Sequence, residues 1–506
     1  MPQTLDTLLG LLYEPDAKKK LSIMKALEYK NDWITLEELH ITLGYTTITL
    51  KKYLTQFEKE AKKNKYFSLK YDKKRGYLLE IKNTFEFGQY YRDILYFMWP
   101  VQFLTQLILH NKVSKAFFPV KFFISESVLK NKIKDFKKIL SVFSITLKIR
   151  NGSYYLEGNE ANIRRLSEDF FWEFFKGSSW PFEAIEEQVI IEKTTLLLEN
   201  TTRPVSLIDQ RKVHYALAVQ EMRFKCGQFF KTNPYIKSYY PFLVPFIANM
   251  QQKTSLFPTE EEFYYFYFHL ATNSKYYSYF DTDFNATMLG NDKLDAYAKL
   301  NIKILTFVTE TLGPLSQEET HNMFNYLFCT HMHLILFNNS YTINDKELSF
   351  FNKKNMEPTI NKIIYLIEKE VPLDEATKNF LIYRYGIILS TIYPPSVFSK
   401  KIIISFCTDI DPSIELKLLR ILTDYFSDIV NIVFYSGVNN VTEPIDLIVH
   451  TALDPQIFSD RKVKATRYID TRFLYNQNLL PLITLINQFL IDKIFDFPPE
   501  NKKRIT

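Results

Sequence analysis

Residues 125–140 read SESVLKNKIKDFKKIL. Leu129, Ile133, Phe136 and Leu140 recur at steps of four, three and four residues, which places them on one edge of a helix. Lys130, Lys134 and Lys137 repeat those steps one position over. A helix built this way has a dry core under one edge and water or a polyanion beside the other.

The stretch has a counterpart. LKKYLTQFEK, Leu50 to Lys59, aligns without gaps on LKNKIKDFKK, Leu129 to Lys138, at an offset of 79. Leu50, Leu54 and Phe57 fall on Leu129, Ile133 and Phe136, and Lys51 falls on Lys130. Downstream, SLKYDKKRGYLLE from Ser68 and TLKIRNGSYYLEG from Thr146 both read as strand, glycine-bearing turn, strand; Asn151-Gly152 is a strong hairpin signal. Upstream of the first copy, LSIMKALEY has helical spacing, and Thr35 with Glu38 forms a capping box opening the short helix LEELHITL. Gly44 ends that helix, and Thr46 or Thr47 caps the next. In the second copy the short helix lies in VSKAFFPVKFFIS, starting near Phe118 because Pro119 fits only a first turn, and Ser125 caps the long helix. Helix, short helix, glycine turn, long helix and hairpin is the order of a winged helix-turn-helix, whose last helix enters the DNA major groove.

The residues expected to face DNA are Thr46, Thr47, Thr49, Lys51 and Lys52 on the first long helix. On the second they are Ser125, Glu126, Ser127, Lys130, Asn131 and Lys134. Asn131 has the chemistry to read adenine, whereas lysines mostly contact phosphates and position without specifying. Lys73, Lys74 and Arg75, in the first hairpin turn, reach for the DNA backbone or minor groove. Charge supports this: residues 51–150 hold 22 Lys/Arg against 8 Asp/Glu, whereas the whole chain is only +6.

At 506 residues the chain exceeds a single core, and 46% hydrophobic with 24% charged residues predicts folding throughout. Three widely spaced cysteines, Cys226, Cys329 and Cys407, build no disulfide framework, and the N-terminus lacks a signal pattern, so a reducing, cytoplasmic location is expected. The apolar run LYFMWPVQFLTQLIL is broken by Pro100 and two glutamines and reads as a buried helix, so no membrane partner is expected. No G-x-x-x-x-G-K-[ST], H-E-x-x-H or G-x-S-x-G motif occurs, so binding rather than catalysis is expected.

After KGSSWPFE (Lys176 to Glu183) the chain is helix-patterned to Ile392, with a loop at Leu289 to Asp292 splitting it into two helical stretches. His214 and His269 lie in the first, and His321, His331 and His333 in the second. Cys329 and His333 are four apart, but no second ligand pair has fitting spacing, so neither a metal nor another cofactor is expected. Beyond Pro394-Pro395, the apolar strand KIIISF, the helix SIELKLLRILTDYF, the strands NIVFY and IDLIVH, a short strand near KATRYID and a final helix from Leu480 to about Phe495 describe a small parallel α/β domain. Cys407 follows its first strand, yet the loop CTDIDPS brings Asp409 and Asp411 and no glycine, the wrong surroundings for a phosphorylated thiol.

This order of units, with FFISESVLKNKIKDFKKIL, its hairpin, EGNEANIRRL and the KIIISF domain, resembles the Mga/AtxA family of transcriptional regulators. The resemblance implies a mainly α, multidomain fold. Two winged helix-turn-helix domains are expected at 1–87 and 88–176, two helical phosphotransferase-system regulation domains at 177–287 and 288–396, and an enzyme IIB-like α/β domain at 397–506. It further implies double-stranded promoter DNA as partner and homodimers or higher oligomers through the C-terminal domain. It also implies a phosphotransferase-system phosphocarrier acting on His214, His269, and one of His321, His331 or His333. Two other readings remain: an RNA-binding antiterminator with paired regulation domains, and a phosphocarrier using Cys407.

Overall fold

The computed structural model describes residues 5–199, 201, 203–232, 234–240, 250–279, 296–337, 353–398, 400–439, 441–454, 458, 463–472 and 479–494. The chain is mainly helical with small sheets and divides into two compact units. One comprises Met1–Phe307, Leu315–Ser349 and Ile364–Arg384; the other comprises Val308–Pro314, Phe350–Ile363 and Tyr385–Thr506. The loop expected at 289–292 lies outside the described residues.

The first unit opens with α1 (Leu5–Leu9), followed by α2 (Pro15–Lys30), α3 (Leu36–Leu43) and α4 (Thr47–Ala61). Thr35 and Glu38 cap α3 reciprocally, the box legible in the sequence. Gly44 ends α3 at φ 69, and the Thr46 hydroxyl accepts the Thr49 N–H at 3.3 Å to start α4. Strands β1 (Phe67–Asp72) and β2 (Gly76–Ile81) form the hairpin in register Leu69↔Leu79. Ile34 bridges Tyr77 across its edge. A Cβ on Gly76, which sits at φ +91, would lie 2.2 Å from the Ile34 carbonyl oxygen, so only glycine lets the hairpin approach this closely.

Helix α5 (Thr84–Tyr96) spans residues 87 and 88 and belongs to the first core: Phe87 and Tyr90 ring-pack on Phe67 at 5.2 and 4.9 Å. The apolar run expected to be one buried helix is two, because Pro100 starts α6 (Trp99–His110) afresh; α6 is the buried part. Next come β3 (Val113–Ser114), α7 (Phe117–Phe122), α8 (Glu126–Val142), β4 (Thr146–Arg150), β5 (Ser153–Glu157) and α9 (Glu160–Phe175). β3 pairs with β5 through Val113↔Tyr154, the counterpart of the Ile34–Tyr77 bridge at the same offset of 79 on the first partner. Helix α7 begins at Phe117, one residue earlier than expected, with Pro119 still in its first turn. Asn151 and Gly152 take φ 46 and 69, the two positive values of a type I′ hairpin. Phe103 stacks on Phe136 at 4.7 Å and meets Phe118 at 5.1 Å, joining α6, α7 and α8.

Helices α10 (Glu187–Leu197), α11 (Leu207–Lys225) and α12 (Glu260–Ala271) carry the chain onward, with a short helical turn at Met250–Thr254. One buried cluster runs from Leu8 to Phe337. A charged network lies inside it. Arg164 of α9, with no exposed surface, grips the Glu262 carboxylate of α12 at 2.6 and 2.8 Å and reaches Glu160 at 3.1 Å. Arg223 of α11 holds Glu160 at 2.8 and 2.9 Å and donates to the Asn111 side-chain Oδ1 at 2.9 Å, and Gln220 donates to Glu262 at 2.8 Å. Burial works against the charge on Arg164, but the two carboxylates overcome it and raise its pKa. Thr259 and Glu262 have the spacing of a capping box, but the box is only half formed. The Thr259 hydroxyl accepts the Glu262 N–H at 3.3 Å, while the Glu262 carboxylate turns to the buried guanidinium and makes the two-pronged contact that Glu160, shared with Arg223, does not supply.

Helices α13 (Ala296–Leu312), α14 (Gln317–Phe337), α15 (Lys353–Glu368) and α16 (Glu375–Ile392) follow. In the second unit, β6 (Ile402–Cys407), α17 (Pro412–Phe426), β7 (Ile432–Ser436), β8 (Leu447–His450), β9 (Thr466–Tyr468) and α18 (Leu480–Ile494) form a small α/β fold. Its sheet is parallel in the order β7-β6-β8-β9.

Three substitutions test this packing. Gly76→Ala is expected to lower the urea midpoint of unfolding by the equivalent of roughly 2 kcal/mol or more, whereas Gly152→Ala, whose Cβ meets nothing within 4 Å, is expected to lose only the φ penalty of about 1 kcal/mol. Glu262→Ala removes both bonds to the buried Arg164 guanidinium and is expected to cost roughly 3–5 kcal/mol by the same measurement.

Candidate nucleic-acid interface

Burial of one edge of α4 decides what its opposite edge offers. Leu50, Tyr53, Leu54, Phe57 and Ala61 are buried. At 3.6 residues per turn the diametric stripe is Ile48, Lys52, Thr55 and Lys59, and all four are exposed. Helix α8 repeats this: Leu129, Ile133, Phe136, Ile139 and Leu140 are buried, and Ser127, Asn131, Lys134 and Lys138 are exposed opposite them. The stripes correspond member by member at the offset of 79.

The expected residues therefore divide. Lys52, Ser127, Asn131 and Lys134 stand on the outward stripes. Lys51 and Lys130 are exposed on a flank, and Thr47 and Glu126 are exposed at the helix starts. Thr46 and Thr49 spend their hydroxyls on each other at 2.9 Å, as Ser125 and Ser127 do at 2.8 Å, with Thr46 and Ser125 also capping their helices. Sequence reasoning missed Ile48, Thr55, Lys59 and Lys138. The signal for them was present in the offset of 79 applied to the whole helix rather than to its start.

The first hairpin turn is built by Asp72, whose carboxylate accepts the N–H groups of Lys74 and Arg75, each at 2.9 Å. Those bonds hold its pKa below the usual range. Lys73 and Lys74 project into solvent, while the Arg75 guanidinium lies 4.2 Å from the centre of the Trp33 ring, so its charge is partly committed within the fold. Lys132 differs from the other α8 lysines: it donates to the Leu11 carbonyl at 2.9 Å and pairs with Asp135 at 3.3 Å, tying the N-terminal segment to α8. Phe123 occupies the place of Gly44 in the second copy, at φ 52 and 96% exposed.

Residues 83–175 match the family model described as the Mga helix-turn-helix domain. The chain carries an Mga helix-turn-helix domain. The match supports an Mga-family transcriptional regulator, the family that the sequence resembles. It starts at Asn83, which caps α5, and ends at Phe175, the last residue of α9. No curated protein matches the chain.

Outside this Mga domain, the five candidate histidines sit in unlike places. His331 and His333 are buried; burial pushes the His331 pKa down to about 3, and His333 lies between the rings of Phe337 and Phe380 at 4.7 and 5.1 Å. His269 is buried with its Nε2 3.0 Å from the Glu168 carboxylate of α9. His214 and His321 are half-buried; burial and then Arg211 hold the His214 pKa down, and the His321 Nε2 lies 2.9 Å from the Asn325 amide nitrogen. Burial raises the Cys407 pKa, keeping the thiol protonated at neutral pH, and in the following loop Asp411 is occupied in capping α17. Among the described residues no group of His, Cys, Asp and Glu is arranged to hold a metal, and no helix is long and apolar enough to cross a membrane.

Lys134→Ala is expected to lower duplex-DNA affinity and to reduce the slope of log K against log salt by about one, while Lys132→Ala is expected to leave the slope unchanged and to lower the melting temperature instead. Titrations of a labelled duplex at several salt concentrations read both.

Proposed function

We propose that the protein is a DNA-binding transcription regulator whose paired helices α4 and α8 enter the major groove of promoter DNA, with phosphorylation of a histidine by a phosphotransferase-system phosphocarrier tuning its activity. One observation carries the reading. The same outward stripe occurs twice, opposite a buried edge, in the part of the chain where lysine and arginine outnumber acids 22 to 8. Two such helices and their hairpins offer enough cations to neutralise several phosphates. The hairpin-flanked helices are not the short β modules of an RNA-binding antiterminator, and a protonated Cys407 does not favour a thiol phosphocarrier.

For phosphorylation, His214 and His321 are the sites with surface to offer, whereas His269, His331 and His333 require their helices to open first. A phosphate on either exchanges a neutral ring for a dianion, enough to repack a helix interface. For oligomers, α17 exposes Ile414, Ile421 and Tyr425 at steps of seven and four, beside exposed Lys417 and Asp424. Antiparallel pairing of two copies about Ile421 sets Lys417 of each toward Asp424 of the other, a self-complementary arrangement.

Binding to duplex DNA is expected to fall by roughly a thousandfold between 50 and 200 mM salt if about six phosphates are neutralised. A curve indifferent to salt, or displacement of the duplex by an equal concentration of hairpin RNA, contradicts the reading. After incubation with a phosphorylated phosphocarrier, label is expected on His214 or His321; a thiophosphate at Cys407 would instead identify a carrier. Ile421→Asp is expected to shift the protein to monomers in sedimentation.

A further inference from the structure

Ile48 is 81% exposed in the first turn of α4, the turn that meets base edges when such a helix docks. A large aliphatic side chain there, at the start of the stripe that continues through the exposed cations Lys52 and Lys59, has no partner in the fold and a poor one in water. The same cations argue against an ordinary apolar protein partner and for a polyanion. In the major groove the apolar group on offer is the C5-methyl of thymine. Neither TITLKKYLTQFEKEA of α4 nor ESVLKNKIKDFKKILSV of α8 contains arginine, the side chain that most often reads guanine. The place of Ile48 on α8 is held by Ser127, next along the stripe from Asn131.

We infer that Ile48 is a specificity-determining residue that packs on thymine methyl groups, so that α4 selects A·T pairs by apolar contact while α8 reads through Asn131. This rests on the DNA-binding reading above and adds to it what the first helix recognises. The selection is one of burial: the methyl leaves water against the Ile48 side chain, and uracil, which differs from thymine by that methyl alone, forfeits it.

The test measures full-length protein on two duplexes spanning about three helical turns, alternating dA and dT in one and alternating dA and dU in the other, both at the same series of salt concentrations. The protein is expected to bind the thymine duplex at least about fourfold more tightly, the value of burying one methyl-sized group. Ile48→Ser is expected to bind both alike, at the affinity the unaltered protein shows for the uracil duplex, and Ile48→Leu to keep the preference. Equal binding of both duplexes by the unaltered protein, with salt dependence intact, overturns this inference alone. A preference that survives in Ile48→Ser overturns it too, because the methyl is then felt elsewhere or through DNA shape. Failure to bind either duplex removes the DNA-binding reading and this inference together.

Discussion

A helix that reads DNA must be dry along one edge so that the other edge is held still. In this protein that constraint is met twice by apolar residues at equivalent positions: Leu50, Leu54 and Phe57 in α4, and Leu129, Ile133 and Phe136 in α8. Once those side chains are buried, helical geometry leaves no freedom over what faces outward. The Ile48 and Asn131 stripes are consequences of the core, and the hairpins are anchored to that core by the Ile34 and Val113 pairings.

The second physical feature is the ion network of Arg164, Glu160, Arg223 and Glu262. It joins α9, which closes the Mga-type domain, to α11 and α12 of the helices that follow. Buried charges of this kind are weak evidence for stability, since apolar replacements often do as well, but they penalise every arrangement that separates the partners. His269 engages α9 in the same way through Glu168. Helices α11 and α12 are thus coupled to the domain carrying α8 by contacts that are either complete or costly.

The parts legible in the sequence were those fixed by neighbours along the chain. The Thr35–Glu38 box, the Ser125 cap, the Asn151-Gly152 turn and the amphipathic edges involve residues a few positions apart, whose chemistry admits few alternatives. What escaped were choices made by distant partners. Glu262 had two uses, and Arg164, 98 residues away, decided between them. Helix α5 joins the first core through Phe87 and Tyr90 because Phe57 and Phe67 leave space there, which periodicity does not reveal. Ile48 escaped because an isoleucine in a helix reads as core until the other core positions are counted. The histidines differ in burial for reasons that only tertiary packing supplies.

The central claim is that the stripes opposite the buried edges touch duplex DNA. A photo-crosslinking side chain placed at Thr55 of α4, at Lys134 of α8, or at the exposed Gln188 of α10 tests it directly. With duplex bound at saturation, crosslinks are expected from the first two positions and not from the third. Saturated binding with no crosslink from either stripe would contradict the account.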